Sequence, residues 1–401
     1  MPELDTTAWY AFGVPLYLAL VAVEAALGRR RRVRVFNIPE TISNLTAGLG
    51  TLLIGLFVGP YVLRAWDFVC ANAAPYRWPP HGAWRLPAAL VLADFCYYAY
   101  HRAGHRFAVF WAIHGIHHQH EHQNSSVAFR LEWLADPYAA LFFGLMPLAG
   151  VDSTTGFAAI ALLSLYTLTA HAPTLARRTF GFLITPAIHG AHHSRDARYA
   201  ESNYGAMLGV WDRLFGTWRE PPPGDVLRAD LPSISRTHNG VSAQWGLVLE
   251  LLRELRAAPS LRAAWSRLTA RPTIASAPSP LREEREIDSA TLRYAVAQFC
   301  ALSALALWVL WFRADRGLSV PVVATTTVLA GFWAIGELLD GAPRAARNES
   351  WRLAGSIAVS AWLVPRAPFA AAWLAGTSLV GLFALSNHAL AERPLRGSER
   401  P

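Results

Sequence analysis

Three groups of histidines define the chemistry this chain can do. His101 and His105 lie four residues apart, His114 is followed by His117 and His118, and His189 is followed by His192 and His193 at the same spacing. Of the 14 histidines, 11 fall between residues 101 and 193. Spacings of three and four bring side chains onto one face of a helix, so each group is expected to present its imidazoles together. Eight imidazoles in these groups are more than one zinc ion can use. They suit two metal ions held by nitrogen donors, with iron as the metal for redox chemistry.

Other readings of the histidines fit less well. The zinc-protease pattern HExxH is absent, because Glu121 in His120-Glu121-His122 lacks a second histidine at the required offset. A bis-histidine haem would use single histidines on facing helices. No Cys/His finger spacing and no GxSxG motif is present. A metal carrier would place its ligands at the bilayer midplane between broken helices. An all-imidazole pocket is neutral before metal binding, and two irons held in it would be Lewis acidic and able to use O2 on an unactivated C–H bond. The expected reactions are lipid oxygenation or desaturation, with electrons from an external donor that the sequence does not name.

The elements that must position these groups are apolar. Of 401 residues, 53% are hydrophobic and 16% charged, mean hydropathy is +0.24, and there are 16 tryptophans. Charged residues fall well short of the usual quarter of a soluble domain and are clumped between apolar runs. The net charge of +8 comes without aromatic–basic interleaving, so it points to membrane topology and anionic lipid, with no nucleic-acid partner expected. Cys70, Cys96 and Cys300 form neither a CxxC pair nor an even disulfide framework. The expected fold is an all-α integral membrane helical bundle, multi-pass, with a histidine-rich di-iron site at its cytoplasmic membrane face.

Four segments follow along the chain. Residues 1–85 should hold two membrane spans, 9–28 and 44–66. Glu3 and Asp5 precede the first span, and Arg29 to Arg32 and Arg34 follow it. That is the reverse of a cleavable signal peptide and places the arginines in the cytoplasm. Residues 86–220 form the histidine segment. Here a third span at 86–100 delivers His101 to the cytoplasmic side, and a hairpin of runs 134–150 and 156–170 returns His171 to the same level. Residues 221–290 are a polar linker carrying an amphipathic stretch at 245–255, read as an interfacial helix or a plain soluble one. Residues 291–401 hold four more apolar runs, 294–312, 320–339, 353–364 and 369–389. Arg344, Arg347, Arg352, Arg393, Arg396 and Arg400 suit the cytoplasm, whereas Arg313 and Arg316 fall outside by this count.

Several single residues acquire expected roles. Asp94 lies two turns before His101 on the same face and could hydrogen-bond a ligand imidazole from behind. His171 is a candidate ninth ligand. Asn203 and Tyr204 should pack near the third group, and Asp212 should hold the turn at 211–217. His120 and His122 are expected to face solvent or support the ligands, and His81, His238 and His388 to ligate nothing.

Taken together, the motifs His101-x3-His105, His114-x2-His117-His118 and His189-x2-His192-His193 resemble the fatty acid hydroxylase / sterol desaturase superfamily, over roughly residues 40–220. Trp111, Asn124, Thr185-Pro186, Asn203-Tyr204-Gly205 and Trp211 to Thr217 fit the same resemblance. The segment Glu121-x2-Asn124-x-Ser126-x-Ala128-x-Arg130, the single His171 and the apolar C-terminal block resemble its alkylglycerol monooxygenase-like branch, which marks Glu121 and Asn124 as residues supporting the ligands. That resemblance implies two Fe ions, O2 as co-substrate, tetrahydrobiopterin as a candidate cofactor, and hydroxylation of the carbon beside an ether oxygen of a lipid. Sterol or fatty-acyl hydroxylation or desaturation is the alternative within the superfamily. One position departs: Arg106 directly follows His105, where the animal members of that branch carry a glutamate.

Overall fold

A computed structural model describes residues 6–175, 181–194, 196–199, 201–222, 237–272, 287–312 and 317–387. His388, Arg313, Arg316, Arg393, Arg396 and Arg400 lie outside the described residues. Among those described the chain is helical, with one isolated antiparallel β-bridge between Leu183 and Leu208. The helices are α1 (Thr6–Arg30), α2 (Ile38–Asn72), α3 (Arg85–Arg106), α4 (Ala108–His114), α5 (Ala135–Phe143), α6 (Leu145–Leu148), α7 (Ser153–Ala170), α8 (Pro186–His192), α9 (Val210–Leu214), α10 (Gly240–Arg256), α11 (Leu261–Thr269), α12 (Ser289–Phe312), α13 (Ser319–Asp340), α14 (Ala345–Leu363) and α15 (Pro368–Asn387). Five are long and apolar enough to cross a membrane: α2, α7, α12, α13 and, over Pro368–Ser386, α15.

The chain divides into two compact units, Met1–Arg236 with Ala243–Leu281, and Thr237–Ser242 with Arg282–Pro401. The stretches 1–85 and 86–220, expected as separate segments, share the first unit. In this unit α2, α3 and α7 pack around Trp66, Cys70, Ala89, Ala93, Cys96, Ala159 and Leu163. The helix starts are set by side chains. Asn37 accepts from the amide of Glu40 at 3.3 Å, with Pro39 in the first turn of α2, and Asp152 accepts from the amide of Thr155 at 3.1 Å to open α7.

Glu24, the one charge inside the first apolar run, is fully buried. Its carboxylate accepts from the amide of Ser125 at 2.7 Å and the hydroxyl of Thr174 at 3.1 Å, so α1 clasps two loops that lead to histidines. A buried carboxylate requires such donors.

The run 134–150 differs from expectation. Gly144 interrupts it, and it folds as two short helices, α5 and α6, neither long enough to span. The expected out-and-back hairpin therefore has only α7 as a spanning arm. The third run also continues unbroken through His101 and His105 to Arg106, so the first histidine pair sits on α3 itself.

In the second unit, α12 to α15 surround a buried polar knot. The Tyr294 hydroxyl donates to Glu349 Oε1 at 2.5 Å, and Arg352 donates to Glu349 Oε2 at 3.0 Å and Gln298 Oε1 at 2.9 Å. His238 donates its amide to Asp340 Oδ1 at 2.7 Å and lies 3.5 Å from the same oxygen through Nδ1.

Small residues on α2 allow the segment after the second histidine group to approach closely. Trp133 Nε1 donates to the Ala47 carbonyl at 3.0 Å. A Cβ on Gly48 would lie 2.6 Å from the backbone oxygen of Phe129, whereas one on Gly55 would meet nothing within 4 Å. Gly48→Ala should therefore destabilise by about 1–3 kcal/mol through overpacking, while Gly55→Ala should be neutral or stabilising. Thermal melting of both variants in detergent checks the difference. Equal midpoints would contradict the packing described.

Candidate metal centre

Eight of the nine imidazoles expected as ligands converge inside the first unit as two groups of four. His101, His105, His118 and His192 form one, and His117, His171, His189 and His193 the other. Within each group, one nitrogen from every ring lies within 4.8 Å of the rest. The motifs do not each form one face, as their spacing suggested. Adjacent residues diverge, so His117 and His118 enter different groups, as do His192 and His193. An α-helix turns about 100° per residue, and the tighter 3-10 turn at Gly115–His118 separates neighbours further.

Local structure explains each placement. His101 and His105 occupy successive turns of α3. Gly104 between them leaves room for the ring of His114, because a Cβ there would lie 3.2 Å from that side chain. Thr185 caps α8 through the amide of Ile188 at 3.4 Å, Pro186 supplies its first turn, and His189 and His192 lie on it with His193 as its C-cap. His171 is the C-cap of α7.

Hydrogen bonds at the outer ring nitrogens fix the tautomers. His101 Nδ1 meets the Tyr204 carbonyl at 2.9 Å, His192 Nδ1 the Ser202 carbonyl at 2.8 Å, His171 Nδ1 the Thr167 carbonyl at 2.8 Å and His117 Nδ1 the Arg130 carbonyl at 3.3 Å. A carbonyl only accepts, so these rings carry their proton on Nδ1 and turn a bare Nε2 lone pair inward. The Nε2 atoms of His117 and His171 are 3.1 Å apart, those of His171 and His189 2.8 Å, and those of His189 and His193 3.0 Å. For His117 and His171, which both carry their proton on Nδ1, two lone pairs at such range repel unless a cation lies between them. In the first group the Nε2 atoms of His101, His105, His118 and His192 are buried without a hydrogen-bond partner, and so is that of His114. Nitrogen donors of this kind, inward and unsatisfied, fit divalent metal ions.

His114 stands beside the first group. Its ring centroid is 4.8 Å from that of His101, 5.0 Å from His105 and 5.2 Å from His118. Its Nδ1 donates to Glu132 Oε1 at 2.6 Å, a partner that no sequence spacing advertised.

Burial keeps the rings neutral. It holds His105, His117, His118, His189 and His193 well below the ordinary imidazole range, and pushes His171 down to about 4 and His192 down to about 3.

The supporting residues differ from expectation in part. Tyr204 touches the centre as foreseen, through its carbonyl on His101 and its ring 5.4–5.7 Å from those of His101, His105 and His192. Asn203 adopts φ +58° and bridges the carbonyls of Ile188 and Arg219, which fixes the turn beside Tyr204. Asp212 accepts from the amides of Tyr204 and Gly205, each at 2.8 Å.

Asp94 hydrogen-bonds no imidazole. It accepts from the amide of Met207 and the indole of Trp211, both at 2.8 Å, because the bridged 207–208 segment presents its amides to α3. The backbone amide of Glu121 donates to Glu40 at 2.9 Å. Asn124 caps the following turn through the amide of Ser126 and also donates to the Val35 carbonyl, so it shapes the loop without reaching a ligand.

His120 has both ring nitrogens engaged, on the His117 carbonyl and Gln123, and His122 pairs with Glu40. Arg130 is buried and spans Ile116, Ser43, Asn44 and Gln119. Arg130 ends the segment Glu121-x2-Asn124-x-Ser126-x-Ala128-x-Arg130, but nothing in the sequence showed it as the brace of the second histidine group.

Residues 86–217 match the fatty acid hydroxylase family. The chain is 30% identical over 210 residues to an alkylglycerol monooxygenase from Danio rerio, a match covering 51% of this chain and 46% of that protein. It is 30% identical over 152 residues to an ornithine lipid hydroxylase from Rhizobium tropici, covering 37% and 45%. It is 28% identical over 186 residues to a Delta(7)-sterol 5(6)-desaturase from Leptosphaeria maculans, covering 44% and 49%. The matches thus span about half of the length of these relatives. No solved structure matches the chain.

Neutral buried imidazoles make the metal-free protein acid-sensitive. Unfolded histidines protonate near the ordinary value of 6.5, whereas His171 and His192 resist protonation until about 4 and about 3. Between those limits the unfolded chain binds more protons, so stability falls as pH drops. The melting temperature of metal-stripped protein should decline steadily from pH 7 to pH 5. A flat profile over that range would contradict the buried neutral centre.

Proposed function

We propose that this membrane protein is a di-iron oxygenase that hydroxylates a lipid C–H bond with O2, and that cleavage of alkylglycerol ether lipids is its favoured reaction. The observation that carries the reading is the pair of four-imidazole groups, one with buried Nε2 atoms that have no hydrogen-bond partner and the other with Nε2 atoms 2.8–3.1 Å from one another, on a segment matching the fatty acid hydroxylase family. Similarity to proteins named alkylglycerol monooxygenase favours the ether-lipid substrate. Arg106, standing where the animal branch carries a glutamate, and the similarity to an ornithine lipid hydroxylase favour a second reading, hydroxylation of another membrane lipid.

His101, His105, His114, His118 and His192 would hold one iron, and His117, His171, His189 and His193 the other. The irons, when bound, supply the oxidising chemistry: O2, two electrons and two protons convert C–H into C–OH and water. The protein's part is to keep the Nε2 atoms of His101, His114, His117, His171 and His192 free of protons through their Nδ1 hydrogen bonds and to keep bulk water out by burial. Ser202, Tyr204, Thr167 and Arg130 orient the rings through their carbonyls. On a carbon beside an ether oxygen the product is a hemiacetal, which separates into an aldehyde and a glycerol lipid. The electrons come from an external donor, with a reduced pterin such as tetrahydrobiopterin as the first candidate.

The arginine-rich residues 29–34 after α1 support a cytoplasmic position for the centre. Helix α10 exposes Trp245, Leu249 and Leu252 beside Arg253 and Arg256, which suits a helix lying at the lipid interface. In this reading residues 86–220 form the catalytic segment, and 291–401 an additional membrane block.

Lipid analysis of cells with and without the protein should show alkylglycerols consumed or hydroxylated lipids formed. Purified His117→Ala should lose product formation by at least about 100-fold, as expected on losing a metal ligand and its orienting bond, and should hold less iron per chain. Sustained O2-dependent lipid oxidation by that variant would sink the assignment. Stoichiometric metal with no lipid product from any donor would favour a non-catalytic metal-binding protein.

A further inference from the structure

Four of the converging histidines rest their outer nitrogens on neutral backbone carbonyls, those of Tyr204, Ser202, Thr167 and Arg130. His114 alone rests on a carboxylate, Glu132, at 2.6 Å. Both are buried, with side chains 4% and 8% exposed. Among the described residues no arginine or lysine pairs with Glu132. Its surroundings are aromatic: Tyr97, Tyr100 and Tyr138 crowd the same region, and the Tyr138 hydroxyl is turned away onto the Tyr100 carbonyl.

A buried carboxylate with no arginine or lysine beside it is poorly compensated. A metal ion on the far side of the His114 ring would supply positive charge. There, His114 Nε2 is buried, without a partner, and directed among His101, His105 and His118. A cation at this point would complete a carboxylate–imidazole–metal relay. In such a relay the carboxylate fixes the tautomer and ring orientation and raises the donor strength of Nε2. Among the described residues the other group, His117, His171, His189 and His193, has no carboxylate behind any ring: two rest on carbonyls, and the Nδ1 atoms of His189 and His193 have no partner.

We propose that Glu132 is a positioning residue that acts through His114, and that it makes the half of the centre containing His101, His105, His114, His118 and His192 the tighter metal site. The two metal ions would then bind in order, first to this half and second to the His117, His171, His189 and His193 half. This inference rests on the metal-centre reading above and adds to it an inequality between the two ions and the residue that sets it.

The test uses full-length protein in detergent, stripped of metal and titrated with Co2+ against a competing chelator, with the cobalt absorption bands and bound metal per chain as readouts. The wild type should bind in two resolved steps. Glu132→Gln keeps an oxygen to accept the Nδ1 proton but removes the charge. It should weaken the tighter step by about 10–100-fold, the usual effect of losing such an outer partner, and leave the weaker step within about twofold. His114→Ala should remove the same step and the same bands. The metal-free melting temperature of Glu132→Gln should stay near the wild-type value. Unchanged binding of both ions by Glu132→Gln would overturn the proposal, as would equal weakening of both steps or loss of a different step in His114→Ala. Failure of the wild type to bind Co2+ at all would instead count against the metal-centre reading.

Discussion

The structure depends on one constraint: nine imidazoles must be buried with ring nitrogens facing each other. That arrangement is unfavourable by itself, since each inward nitrogen has lost its water and those of His117 and His171, both bare, stand 3.1 Å apart. On five of the rings an acceptor outside holds the proton on the outer nitrogen. Most of the first unit can be read as the means of putting acceptors there. Asp212 and Asn203 fix the turn at 202–205, and that turn offers the carbonyls of Ser202 and Tyr204 to His192 and His101. Asp94 holds the neighbouring 207–208 amides against α3, so its influence on His101 runs through two backbone segments.

Buried charges appear where irregular chain must be held. The loop from Gln119 to Arg130 has few regular partners, and two charged side chains from other parts of the sequence, with one at its own end, supply them. Glu40 takes the amides of Glu121 and His122, Glu24 takes that of Ser125, and Arg130 joins the loop to the first turns of α2. Each would be costly in an apolar environment without its hydrogen bonds. Together they carry the His117 carbonyl acceptor and the 3-10 turn to their places.

The convergence of the histidines was legible in the sequence because a metal centre needs many residues of one type close together, and spacing shows that. The helical character of the chain was legible for a similar reason, through long apolar runs. What spacing could not show was partition. It grouped histidines by motif, whereas the folded chain splits each adjacent pair between two subsites, since neighbouring residues on a tight helix point apart. It also could not show Glu132, which meets His114 across 18 residues of irregular chain. Asp94 was read correctly as significant and incorrectly as an imidazole partner, because periodicity along α3 says nothing of the segment packed against it. The run 134–150 counted as apolar enough to span, but Gly144 breaks it into two short helices.

The splitting of adjacent histidines has a metrical consequence. His117 and His118 are joined by one peptide unit, and so are His192 and His193, yet each pair serves both subsites. Consecutive Cα atoms are about 3.8 Å apart across a trans peptide, a length set by covalent bonds. The separation of the two subsites is thus gauged twice by the backbone itself. Substitutions elsewhere can loosen the rings or shift the surrounding loops, but they have little leverage on that spacing. The two groups of histidines are thus spaced by a ruler that the rest of the protein cannot easily stretch.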